Sequence, residues 1–246
     1  SYDDQAWFDD MVTDPTPPAK AFGMFDGNSI HDARLAGDYA PSLETMVKGA
    51  FNVLEKDPNG FFLMVEGGAV DWANHANDFA YMMEEQVDFD NSVQFVMDWI
   101  EANGGWEKNL LIVTADHETG GIWGPGTVTD DNGTPDDHTD DTIGTWNHVV
   151  DMGLGVLPEM QYTSAGHTNV LVPLWAKGAG ANLFDGMVDG NDPMADAFWT
   201  EGQGWDWNGD YVDNTDVFSV MDAVLEPPKA ELDGSTLEIR GSRGDD

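Results

Sequence analysis

The chain contains no cysteine, which excludes disulfides and thiolate metal sites together and leaves His, Asp and Glu as the only strong metal ligands. It is nearly as poor in positive charge. Lys plus Arg number 9 against 47 Asp plus Glu, a formal net charge of −38. A surface of that sign repels nucleic acid and anionic membranes, so neither is expected as a partner. Self-repulsion also opposes compaction at low salt, whereas at about 1 M salt the Debye length falls to roughly 3 Å and screens it. A halophilic or marine setting is therefore expected. No apolar run reaches membrane-spanning length and no signal peptide is visible. The chain begins at Ser1 without an initiator Met, which reads as a processed product or a fragment.

What is present suits an α/β protein. With 246 residues, 41% of them hydrophobic, the chain can bury a sizeable core as one large domain or as a domain with an insertion. Residues 1–19 are acidic and carry Pro15-Thr16-Pro17-Pro18, the composition of a lead-in or linker. Lys20 to Phe25 reads as a short strand. Pro41 stands where N1 of a helix is expected, with Leu43, Met46, Val47, Ala50, Phe51 and Leu54 at the 3.6 period. Phe61 to Val65 and Leu110 to Val113 are continuous apolar runs, the pattern of strands buried on both faces in a parallel sheet. A helix from about Glu84 to Ala102 lies between them, which predicts a right-handed β-α-β unit. From about 124 to 166 periodicity is lost and acidic residues dominate, marking a polar insertion. Val170 to Ala176 reads as a strand with Pro173 at an edge or bulge. A last helix is expected after Asp213-Asn214-Thr215-Asp216, with Val217, Met221 and Val224 facing in, and residues 226–246 read as a disordered tail.

Metal-capable side chains collect at the ends of these elements. Glu66 is the first polar residue after Phe61 to Val65. Asp116 and His117 follow Leu110 to Val113 within Thr114-Ala115-Asp116-His117-Glu118-Thr119-Gly120-Gly121. Taken alone, that octapeptide is equally compatible with a polar Gly turn. Open α/β sheets place their ligands outside the carboxyl ends of strands. Asp71 and His75, spaced i, i+4, project from one helix face within reach of one ion, although the same pair also occurs on ordinary surface helices. His167 precedes the strand at 170–176, and if that strand runs antiparallel to the others, all these groups converge on one crevice. Imidazole with carboxylate is a typical zinc shell, and a lone Glu suits magnesium. Trp72 reads as packing, and His138 and His148 as solvated or hydrogen-bonded. Asp206, Asn208, Asp210 and Asn214 only partly match a calcium loop, whose expected Gly is Tyr211 here.

Val65-Glu66-Gly67-Gly68 with Asp71 and His75, the Thr114–Gly121 stretch, and Gly166-His167-Thr168-Asn169 together resemble the second half of the alkaline phosphatase family, in order from about Ala21 to Leu225. The resemblance implies a three-layer α/β/α fold with a mostly parallel central sheet, incomplete on its own. It implies two zinc ions, one held by Asp71, His75 and His167 and the other by Asp116 and His117, with one magnesium on Glu66. It also implies phosphate monoester hydrolysis through a phosphoserine, in a periplasmic or extracellular setting, with a homodimer as a further state. The family's earlier half, with its metal-bridging Asp, Asp-Ser-Ala nucleophile and phosphate-binding Arg, is not found in this sequence. Thr163-Ser164-Ala165 matches the nucleophile only superficially, and Arg34, Arg240 and Arg243 lack the phosphate-binding context. The expectation is a carboxyl-terminal portion of an alkaline phosphatase, inactive when isolated and completed by a companion chain or segment. A phosphodiesterase, sulfatase or phosphomutase of the same superfamily, or a non-catalytic metal-binding fragment, are the alternatives.

Overall fold

The computed structural model describes residues 5–25, 29–130, 133–134, 142–195, 208–225, 229–233 and 236–240. These belong to two units, one of Ser1–Trp99 with Thr119–Thr168 and one of Ile100–Glu118 with Asn169–Asp246.

The first unit is built on helices. The acidic lead-in expected at residues 1–19 instead holds helix α1, Gln5–Thr13, whose Phe8 and Met11 are buried. Asn52 Nδ2 donates to the carbonyls of Met11 and Asp14, both at 2.9 Å, and ties this helix end down. Composition misled here because three Asp residues, Asp9, Asp10 and Asp14, surround the two apolar residues that do the packing. Helix α2, Ile30–Ala36, is capped by Ser29, whose hydroxyl accepts from Asp32 N, as N-cap hydroxyls do. Helix α3, Leu43–Leu54, is capped in the same way by Ser42, whose Oγ accepts from Thr45 N at 3.1 Å. Pro41 therefore stands before the cap and not at N1. Gly49 brings α1 close, since a Cβ there would lie 3.4 Å from Met11 Cβ.

Phe51 on α3 is the centre of this core. Its ring meets Phe61, Phe95 and Trp99 edge-on, with centroids 5.3, 5.5 and 4.9 Å away, the arrangement the ring quadrupole favours. Helix α4 is Ala69–His75 and helix α5 is Phe79–Ala102. The first turn of α5 is capped by Asp78, which accepts from Tyr81 N, so it starts earlier than its apolar period suggests. In its buried stripe Glu85, Asp88 and Ser92 sit beside Met82. The two carboxylates serve the other helices: Glu85 accepts from His31 N at 2.9 Å and Asp88 from Leu43 N at 2.7 Å, placing negative charge at two helix N-termini. Burial nevertheless pushes both carboxyls above their ordinary range. Neighbouring Glu84 is held below it, chiefly by its hydrogen bonds to the Arg34 guanidinium.

Phe61 to Val65 forms no strand and joins no ladder among the described residues. It is not buried on both faces as its composition predicts, because Phe62 and Met64 are 56% and 79% exposed. Lys20 to Phe25 likewise forms no described strand. Ile122–Trp123, just before the expected polar insertion, pairs with Gln161–Tyr162 inside it, and Val128–Asp130 pairs with Thr142–Thr145, both antiparallel.

In the second unit Leu110–Val113 pairs antiparallel with Trp175–Gly178, from Leu110 opposite Gly178 to Val113 opposite Trp175. All four residues of the first strand are only half-buried, and the second begins later than the expected Val170. Gly178 has no substitute in this ladder, since with φ +106° an added Cβ would collide with the Asn109 carbonyl. Gly190–Asn191 pairs with Asp210–Tyr211. Helix α6, Asn214–Leu225, follows Asp213, whose carboxylate accepts from Thr215 N, and Val220 is its fully buried residue. In place of the expected disordered tail, Lys229–Asp233 and Thr236–Arg240 form an antiparallel ladder. Apolar residues alternate with polar ones in both segments, which is the strand period.

Candidate metal centre

Gly67 and Gly68 lead the chain from the apolar run into α4, and Gly67 is needed because a Cβ would lie 2.9 Å from the Phe89 ring. On α4 the predicted i, i+4 pair meets, with His75 Nε2 3.4 Å from Asp71 Oδ2. His167 joins them from the same unit. Its Nε2 lies 3.6 Å from Asp71 Oδ1, and its ring centroid is 5.0 Å from that of His75. Donors about 2.0 to 2.1 Å from a tetrahedral ion are separated by about 3.3 Å, so the two gaps are close to that geometry. The three side chains are between 34% and 48% exposed, which leaves room for a ligand from solvent.

Two further contacts orient the trio. His75 Nδ1 is 2.7 Å from the Ala165 carbonyl. A carbonyl only accepts, so Nδ1 is the donor in this contact and the ring is turned with Nε2 toward Asp71. Asp71 Oδ1 accepts from the Thr119 hydroxyl at 2.6 Å, and Thr119 is buried. Sequence reasoning missed both. Thr119 lies within a motif singled out for Asp116 and His117, but no spacing rule links it to Asp71.

In the second unit His117 Nε2 is 3.3 Å from Asp116 Oδ2, again the separation of two ligands on one ion. Asp116 is 87% exposed and His117 30%. Thr114, just after the strand, donates to the Pro173 carbonyl at 3.0 Å. Glu66 is exposed and joins no cluster of three donors among the described residues. Ser164 is buried, with its Oγ accepting from Gly166 N at 2.9 Å, so it serves the turn before His167. Arg34 is engaged by Glu84 at 2.7 Å. Trp72 is 50% exposed, contrary to a packing role, and His148 lies edge-on to Trp146. Asp206, His138 and Arg243 lie outside the described residues.

Imidazole and carboxylate donors at these separations are the chemistry of a zinc-type site. The alkaline phosphatase family model matches residues 11–141, a little over half of the chain, and the chain belongs to the alkaline phosphatase family. Alkaline phosphatase 3 of Bacillus subtilis is 43% identical over 81 residues, covering 33% of this chain and 17% of that protein. The repressible alkaline phosphatase of Saccharomyces cerevisiae is 44% identical over 88 residues, covering 33% of this chain and 15% of that protein. The matched segments thus span less than a fifth of these two relatives. Among solved structures, the alkaline phosphatase of the Antarctic bacterium TAB5 is 27% identical with a TM-score of 0.42, covering 58% of this chain and 35% of that one.

Proposed function

We propose that this chain is the carboxyl-terminal part of a phosphate monoesterase that works through two zinc ions, one magnesium ion and a serine carried by a segment outside this sequence. The observation that carries the reading is the spacing of the donors, 3.4 and 3.6 Å around Asp71 and 3.3 Å between Asp116 and His117, in a chain of this family. Asp71, His75 and His167 would hold one zinc, Asp116 and His117 the other, and Glu66 the magnesium. Bound metals of this kind supply Lewis acidity to phosphoryl oxygens and lower the pKa of a coordinated hydroxyl or water. The remaining tasks fall to the chain itself. Asp71 and Asp116 present anionic oxygens that keep cations in place against solvent. His75, held by its Nδ1 contact with the Ala165 carbonyl, directs Nε2 toward Asp71. The surface of net charge −38 does not attract phosphate esters, so local positive charge at the centre must do so.

The supplied segment would also complete the fold. Phe61 to Val65, unladdered and with Phe62 and Met64 exposed, is an apolar run that would become a strand covered on both faces in a three-layer α/β/α sheet, mostly parallel. The turn role of Ser164 supports a nucleophile supplied from elsewhere. A periplasmic or extracellular setting and a homodimer belong to the same proposal. Among the described residues no helix is long and apolar enough to cross a membrane.

Two measurements on the purified chain test this. After dialysis, elemental analysis should find zinc approaching two per chain and removable by chelator. An aryl phosphate assay should show negligible turnover until a polypeptide bearing the first half is added. Robust turnover by the chain alone would overturn the assignment of the serine to another segment.

A further inference from the structure

Asp71 is the shared member of the trio, because one of its oxygens faces each histidine. A carboxylate on a seven-residue helix has two free torsions, and a hydrogen bond from outside the helix restricts them. Thr119 supplies one. Its hydroxyl lies 2.6 Å from Asp71 Oδ1, and its side chain is buried, so the donor is fixed by packing and the bond to the carboxylate is charge-assisted. We propose that Thr119 is a positioning residue for metal binding, acting through Asp71; the inference rests on the zinc reading above.

The backbone around Thr119 is held as firmly as the side chain. Gly120 N donates to Gly166 O at 3.0 Å, and the Gly120 carbonyl accepts from Thr163 N and Ser164 N at 3.1 and 3.0 Å. The same 163–167 segment presents the Ala165 carbonyl to His75 and carries His167. Gly120 has φ +93°, and an added Cβ would lie 2.8 Å from the Tyr162 ring, while the Tyr162 hydroxyl donates to Asn74 on α4 at 3.0 Å. With its amide oriented by hydrogen bonding, Asn77 donates to the carbonyls of Ser164 and Asn74 at 2.9 and 2.8 Å. Helix α4, the Thr119–Gly121 turn and the 163–167 segment therefore form one hydrogen-bonded frame, and Thr119 connects that frame to the carboxylate.

Outer partners of metal ligands typically contribute 10- to 100-fold in metal affinity. The test measures zinc dissociation constants of the whole chain by competition with a chromogenic chelator, together with far-UV circular dichroism and the melting midpoint of the metal-free form. Thr119→Val, which keeps shape and loses the hydroxyl, should weaken the tightest zinc by about 10- to 100-fold while the metal-free chain melts as before. Thr119→Ser should restore binding to within about threefold of the original. In an Asp71→Ala background the valine substitution should cost nothing further, because its effect passes through that carboxylate. If valine disturbs the fold, Thr119→Ala replaces it in the same series. Unchanged zinc affinity in a folded hydroxyl-deleted variant, failure of serine to rescue, or an equal loss in the Asp71→Ala background would each overturn the proposal. A wild-type chain that binds no zinc would instead sink the functional reading, and this inference with it.

Discussion

Asp71 and Asp116 are the two carboxylates proposed to meet zinc, and their surroundings differ. Asp71 has an imidazole near each oxygen and a buried hydroxyl bonded to one of them. Asp116 has His117 beside it, is 87% exposed, and is held by no hydrogen bond among the described residues. The first is preorganised by its own unit, whereas the second leaves its orientation to whatever binds there. Preorganisation removes an ordering cost at the moment of binding, so the two sites should differ in affinity even though their ligand types are the same.

Replacing each Asp breaks the comparison most directly. Asp71→Ala should weaken the tightest zinc by 100-fold or more, on the order of 3 kcal/mol, while Asp116→Ala should leave that site within about threefold and lower only the weaker stoichiometric step. Chelator competition with isothermal titration reads both, and equal losses would show that the two centres are not independent. Next in size is the frame behind Asp71. Gly120→Ala forces a side chain into positive φ and against Tyr162, which should cost about 1–3 kcal/mol in denaturant unfolding and weaken zinc as well. Gly153, also at positive φ but with nothing within 4 Å of its Cβ position, should show the smaller backbone cost alone when changed to Ala.

Helix α5 repeats the contrast between held and solvent-facing carboxylates, and there it has a pH signature. Glu85 and Asp88 have carboxyls raised by burial. A raised carboxyl binds more protons in the folded state, so its contribution is present below the ordinary range, about pH 4, and is lost as pH rises through the folded value. Glu84, lowered by Arg34, has the opposite sign: its contribution is present above the ordinary range and lost as pH falls through its depressed value. Glu85→Gln should therefore flatten the decline in stability as pH rises above about 4, as read by urea midpoints. Arg34→Ala should reduce stability at neutral pH and leave it unchanged at low pH. The smallest effect expected is from salt. Raising potassium chloride from low to about 1 M should lift the melting midpoint by a few degrees through screening, and a midpoint indifferent to salt would separate the acidic composition from any halophilic role.

Helix α3, helix α6 and most of α5 were legible because their apolar residues keep one period, and the candidate donors could be named because only His, Asp and Glu remain when Cys is absent. The buried face of α5 was only partly legible because Glu85, Asp88 and Ser92 occupy buried positions that a hydrophobicity pattern reads as solvent-facing. Helix α1 was hidden by its acidic residues. Phe61 to Val65 misled in the other direction: composition predicts burial on both faces, yet burial depends on what covers a strand, and in this chain Phe62 and Met64 face solvent.

The sequence by itself determined the donor chemistry and the one-face placement of Asp71 and His75, because both follow from residue type and the 3.6-residue helical period. Only the tertiary structure decided that His167 joins them and that Thr119 and the Ala165 carbonyl orient them. Those contacts bridge 48 residues from Asp71 to Thr119 and 90 from His75 to Ala165, and no local period encodes a hydrogen bond made by closing a loop across such distances.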